Sequence, residues 1–134
     1  MSHSVSFTLP KDYAFVAAVG LSTSFLAAYH TVLSIRFRIK AKIRHPQFYA
    51  ELKQTQEDPN ALRFNCAQRA HENMLEHLPI FLAGLAWTGI RYPLISSALG
   101  LSWIMARFFY TRGYTSENPG NRGRWFTTSV STLG

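Results

Sequence analysis

Three side chains of complementary chemistry, Arg69, Asn73 and Glu76, stand at i, i+4 and i+7 in the segment FNCAQRAHENMLEHLPIF that runs from Phe64 to Phe81. On a helix they fall along one stripe, with Gln68, His71 and His77 beside it. Arg107, Tyr110 and Tyr114 form a second stripe at i, i+3 and i+7, leading into a polar turn, GYTSENPGNRGRW. A guanidinium takes a carboxylate with two parallel hydrogen bonds, a carboxylate takes an ammonium, and amides and phenols fix orientation. Together these types suit a small zwitterionic or anionic ligand with several carboxylates. Each stripe also has a plainer explanation. The first fits polar side chains satisfying one another inside a bundle, and the second fits an interfacial belt of tyrosines. Neither explains why cations, an amide, a carboxylate and phenols should meet at one depth.

That depth is set by the elements around them. The Arg69 stripe runs into Leu78 to Ile90, which carries no charge, and Tyr13 to Ile35 contains no Asp, Glu, Lys or Arg. At about 1.5 Å per residue the latter run reaches the ~30 Å of a hydrocarbon core. Asp12 and Arg36 bracket it, so it reads as a transmembrane helix rather than a removable leader. Tyr92 to Ala106 is a further uncharged run, separated from the second by Arg91 and Pro93 in the manner of a tight hairpin. The second and third runs reach spanning length only by including polar neighbours. The spans are therefore expected at 13–35, 66–90 and 92–112, with a partial fourth from 125. Gln47 to Asn60, rich in Glu, Gln and Asp, reads as a solvated loop. Hydrophobic residues make up 47% and mean hydropathy is −0.04, polar for a membrane protein, so much of the chain is expected in loops or a wet interior. The competing reading, a soluble all-helical domain, would have to place the Tyr13 to Ile35 run in a small core.

Charge orients the spans. Arg36, Arg38, Lys40, Lys42, Arg44, Lys53 and Arg63 lie between the first and second, and Arg107, Arg112, Arg122 and Arg124 end or follow the third. Three spans put both groups on one side of the membrane, and the positive-inside rule makes that side cytosolic. The net charge of +7 is thereby explained without nucleic acid, which would want basic residues interleaved with exposed aromatics. Attraction to anionic head groups is the expected secondary effect. The lone Cys66 excludes an intramolecular disulfide. His71 and His77 lack the i, i+4 spacing that lets two imidazoles ligate one ion, so no metal is expected.

The FNCAQRAHENMLEHLPIF segment and the later ARFFYTRGYTSENPGNRGR segment resemble the membrane-associated proteins of eicosanoid and glutathione metabolism. The resemblance runs from Tyr29 to Trp125 and is carried by an R-A-x-x-N-x-x-E core with a following proline. It implies an all-α integral membrane bundle, four-helix in the family and here three full spans plus a truncated fourth, that assembles as a homotrimer. The implied location is the endoplasmic reticulum or outer mitochondrial membrane, with glutathione held between subunits at the cytosolic end. Carried over by position, the resemblance makes Arg69, Asn73 and Glu76 contacts to glutathione, with His71 and His77 in flanking ligand positions where relatives commonly have glutamine and tyrosine. Tyr110 and Tyr114 fall on the family's third-helix tyrosines, and Arg107 on a supporting arginine. The first-helix arginine aligns with Arg38 when the register is taken from Pro46, with Arg36 the alternative. The arginine that stabilises the thiolate falls on Arg122, with Arg124 its neighbour and rival.

The implied activity is glutathione transfer to hydrophobic electrophiles and reduction of lipid hydroperoxides, with leukotriene-type conjugation within its range. Glutathione is the co-substrate. A thiol of pKa near 8.5 is mostly protonated at neutral pH. A desolvated guanidinium aimed at sulfur lowers that by about two units, worth about 2.7 kcal/mol, and arginine keeps its charge where a buried lysine would lose it. The chain departs from the family at Trp125 to Gly134, which offers only ~15 Å of helix, so a full fourth span is not expected. A non-catalytic reading stands beside the enzyme: a lipid-binding scaffold resembling the family's lipoxygenase-activating member.

Overall fold

The computed structural model describes residue 6 and residues 8–120. Arg122, Arg124 and the partial fourth element from Trp125 lie outside the described residues. Among the described residues four helices follow one another: α1 (Tyr13–Lys40), α2 (Leu52–Glu57), α3 (Pro59–Arg91) and α4 (Pro93–Tyr114). Among the described residues there is no strand.

Local chemistry sets the ends of these helices. The α1 helix closes in a Schellman arrangement: Lys42 N–H donates to the Ile39 carbonyl and Ile43 N–H to the Arg38 carbonyl, both at 3.1 Å. Lys42 takes the left-handed position at φ 54°, where glycine is the usual residue. Glu51 and Gln54 form a capping box at the start of α2. The Asp58 carboxylate accepts from Asn60 N–H at 2.8 Å and Pro59 occupies the first helical position of α3, where its missing N–H costs nothing. Pro93 does the same for α4, so a single residue, Tyr92, joins two antiparallel helices.

The stretches expected at 13–35 and 66–90 fall inside the longer α1 and α3, and the one expected at 92–112 falls inside α4 except for Tyr92, which lies in the turn. The largest difference is at α3, which begins at Pro59 rather than near Cys66, and α2 occupies part of the segment expected to be loop. Pro59 and Asp58 start a helix there instead of closing a loop. By length and composition α1 is the one helix among the described residues apolar enough to cross a membrane. The α3 and α4 helices have the length, ~50 Å and ~33 Å at the standard rise, but α3 carries its polar stripe along its middle and α4 at its C-terminal end.

Helices α1, α3 and α4 each pack against the other two. The inside holds His30, Ser34, Ser96 and Thr111, whereas Phe25 and Trp87 are 79% exposed on the outside. An apolar exterior around a partly polar interior is the arrangement a bilayer selects, since lipid solvates the outer side chains and every buried polar group must find a partner within protein. Small residues let the helices approach: a Cβ at Gly100 would stand 2.8 Å from both Leu85 and Val19, and one at Gly89 2.8 Å from Val16.

Candidate functional site

The α3 helix carries five of the nine sequence-expected residues that the structure describes, and the structure divides them. Arg69 Nη1 lies 3.1 Å from Glu76 Oε1 and 3.5 Å from Glu72 Oε2, with both Arg69 and Glu76 about half exposed. Asn73 turns toward α4, where its Oδ1 accepts from Arg107 Nη1 at 2.5 Å. The Arg107 guanidinium is held from its other side by Trp103, 5.0 Å from the ring centroid. Because α3 and α4 run antiparallel, each turn beyond Arg107 on α4 matches a turn back from Asn73 on α3. Tyr110 is then roughly level with Ala70 at ~1.5 Å per residue, and its ring centroid is 5.7 Å from that of Tyr114. Arg69, Asn73, Glu76, Arg107, Tyr110 and Tyr114 thus gather at one end of the α3–α4 pair. His77 is exposed beside them, its Nδ1 2.7 Å from the Asn73 carbonyl oxygen.

His71 and Arg38 belong to a different groove. Two residues beyond Arg69, His71 points to the far side of α3, about 160° around the axis. There it faces the buried His30, ring centroids 6.0 Å apart. Arg38 lies over the Phe64 ring at 4.5 Å and donates from Nη1 to the Gln47 carbonyl at 2.7 Å. A cavity of about 410 Å³ between α1, α3 and the loop is lined by Ser34, Arg38, His45, Gln68 and His71, among others. Ser34 Oγ donates to Gln68 Oε1 at 2.7 Å across it. Arg36, the alternative first-helix arginine, is exposed and outside this lining.

Sequence reasoning missed the support under Arg69. Glu72 is three-quarters buried, and its Oε2 accepts from the Tyr49 hydroxyl. Burial and this carboxylate together push the Tyr49 phenol up to about 12. The loop bearing Tyr49 is tied down at Ala50, whose N–H donates to Asn65 Oδ1 at 2.7 Å and whose carbonyl accepts from Asn65 Nδ2 at 2.9 Å. The i, i+3 spacing from Arg69 to Glu72 was a usable signal, but a tyrosine 23 residues upstream has none. Beneath both grooves, His30 Nε2 and Thr111 Oγ1 join α1 to α4 at 2.9 Å. Cys66 is buried. Among the described residues no three His, Cys, Asp or Glu side chains gather to hold a metal ion.

An apolar exterior around a bundle that gathers guanidinium, carboxylate, amide and phenol groups at one level of α3 and α4 is the make-up of a helical membrane protein with a polar patch. The model of the MAPEG family matches residues 16–134, nearly the whole chain, and the chain belongs to that family. Its members are membrane helical bundles with roles in glutathione and eicosanoid metabolism, and they include both glutathione transferases and non-catalytic proteins.

Proposed function

We propose that the chain is a membrane glutathione transferase with peroxidase activity, nearest in its motifs to microsomal glutathione S-transferase 3, acting on hydrophobic electrophiles and lipid hydroperoxides. The observation that carries this reading is the gathering of Arg69, Glu76, Asn73 and Arg107 at one half-exposed end of α3 and α4. Glutathione has two carboxylates, one ammonium and peptide amides. Arg69 and Arg107 match the carboxylates, Glu76 the ammonium and Asn73 an amide. The Arg69–Glu76 pair keeps each charge compensated until ligand groups replace its partner. Tyr110 and Tyr114 line the adjacent turns of α4. Arg122, with Arg124 as rival, holds the thiolate, which adds to an electrophilic carbon or attacks the O–O bond of a hydroperoxide.

The division of residues between two sides of α3 favours a site completed by a second copy. Arg38 and His71 lie between about 100° and 160° around α3 from Arg69, counted from Phe64, Gln68 and His71, so one chain alone does not bring them together. In a cyclic homotrimer the Arg38–His71 groove of one subunit meets the Arg69–Glu76 face of the next. We place this trimer in the endoplasmic reticulum membrane, or the outer mitochondrial membrane, with the site facing the cytosol. Co-expression tests the arrangement. Arg38→Ala and Arg69→Ala chains are each inactive alone, and random mixing restores roughly a quarter of the interfaces, because a head-to-tail contact takes one half-site from each neighbour. Restored turnover supports the shared site. Inactivity of the mixed, correctly assembled protein would confine the site to one chain or remove it.

A further inference from the structure

The end of α1 carries a second concavity that borders the Arg38 groove and extends beyond it to Lys42 and Arg44, two cations the glutathione reading does not use. Its volume is about 790 Å³, and it is lined by Ile35, Arg38, Ile39, Lys42, Ile43, Arg44 and His45. The wall is built rather than accidental. Ile43 is buried in a small core with Ala50, Ala61 and Phe64, which pins the chain reversal and brings Arg44 and His45 back beside the last turns of α1. Lys42 holds a left-handed conformation at φ 54° that an L side chain adopts at a conformational cost and that glycine adopts freely. A strained residue retained at the rim of a hollow is a reason to look for function. Neither Lys42 nor Arg44 is ion-paired to an acidic side chain among the described residues.

The lining has two halves of opposite character. Ile35 and Ile39 are 49% and 69% exposed on the side from which the uncharged run of α1 arrives, while the cations stand at its end. We propose that this hollow binds one anionic phospholipid of the surrounding leaflet, its phosphate against Lys42 and Arg44 and the start of an acyl chain along Ile35 and Ile39. Charge complementarity selects this occupant. A free phosphate or a nucleic-acid backbone would neutralise the cations and leave the isoleucines uncovered, whereas an anionic phospholipid meets both halves of the lining. Ile35, Arg38 and His45 line both hollows, whereas Ile39, Lys42, Ile43 and Arg44 line this one and not the Arg38–His71 groove, and the site is tested without glutathione.

The test is native mass spectrometry of the full chain in neutral detergent, supplied with phosphatidylserine or phosphatidylcholine. The expected result is one retained phosphatidylserine per chain and no retained phosphatidylcholine. Lys42→Gly with Arg44→Ala should weaken retention about twenty-fivefold, the product of the roughly fivefold that each basic residue contributes near an anionic surface. Glycine is the usual residue at that backbone position, so the thermal midpoint of this variant should not fall. Arg36→Ala with Lys40→Ala removes the same charge outside the hollow and should leave retention within a few-fold, and Ile39→Ser should reduce it. Equal losses from both double variants would mean diffuse attraction and overturn the site. Full competition by inorganic phosphate, or an Ile39→Ser variant that retains lipid normally, would make it an anion site without an acyl groove and overturn the lipid assignment.

Discussion

Replacing Thr111 with valine removes the hydroxyl that reaches His30 while keeping the shape of the side chain. His30 is 1% exposed, its Nε2 pairs with Thr111 Oγ1 at 2.9 Å, and its Nδ1 is buried with no hydrogen-bond partner. The substitution therefore leaves the imidazole with no partner at either nitrogen. Interhelical hydrogen bonds within membranes average only about 0.6 kcal/mol and reach about 1.7, whereas leaving a buried polar group unsatisfied costs about 1–3 kcal/mol. At 1% exposure the ring cannot turn to solvent or lipid, so the second figure governs and the expected loss is about 1.5 kcal/mol. Reversible unfolding in mixed micelles, followed by far-ultraviolet circular dichroism, measures it. The control is Thr31→Val, whose exposed hydroxyl merely returns to the Ala27 carbonyl of its own turn. If Thr111→Val lies within about 0.5 kcal/mol of that control, the ordinary range for surface changes, then the pair does not tie α1 to α4 and the argument fails.

Gly100→Ala should destabilise the bundle by about 1–3 kcal/mol, the usual range for overpacking, since the stiff Val19 side chain stands 2.8 Å from the new Cβ. Gly84→Ala, with nothing within 4 Å, should be neutral or stabilising by up to about 1 kcal/mol from helix propensity; the same unfolding assay ranks the two. Arg69→Ala and Glu76→Ala should each weaken glutathione binding in calorimetric titration, whereas Lys53→Ala, 84% exposed in a 4.0 Å pair with Glu57, should not, because a screened surface pair contributes little. Tyr49 is an acid whose pKa rises from 10.0 to about 12 on folding. Its contribution is complete below pH 10 and declines as pH rises toward 12, because there the folded state holds a proton the unfolded state has lost. The Tyr49→Phe variant should show a smaller fall in stability across that window.

How much could be read beforehand differs along the chain. The α1 helix was legible because Asp12 and Arg36 bracket an uncharged run, and the α3–α4 turn because Arg91 and Pro93 punctuate it. The start of α3 was not. Pro59 among polar residues suggests a loop, yet with the Asp58 side chain accepting from Asn60 N–H it is a helix start. Residue types in the stripe were legible, but their partners were not. Periodicity places Asn73 beside Arg69 and Glu76, while only packing against α4 shows that its oxygen is taken by Arg107. Flanking positions mislead for a geometric reason, since His71 is close to Arg69 in sequence and on the opposite side of the helix.

The most direct test of the proposed function is a glutathione titration of the purified wild-type protein in detergent near neutral pH, followed by thiolate absorbance and repeated with Arg122→Ala. The account predicts a saturable thiolate signal in the wild type, while Arg122→Ala binds glutathione within a few-fold yet loses about a hundredfold in the thiolate equilibrium, the equivalent of about 2.7 kcal/mol. An effect at Arg124→Ala and none at Arg122→Ala would move the role to the neighbouring arginine. Saturable binding with no thiolate signal in any of these proteins, wild type included, would contradict the enzyme and leave a ligand-binding scaffold in its place.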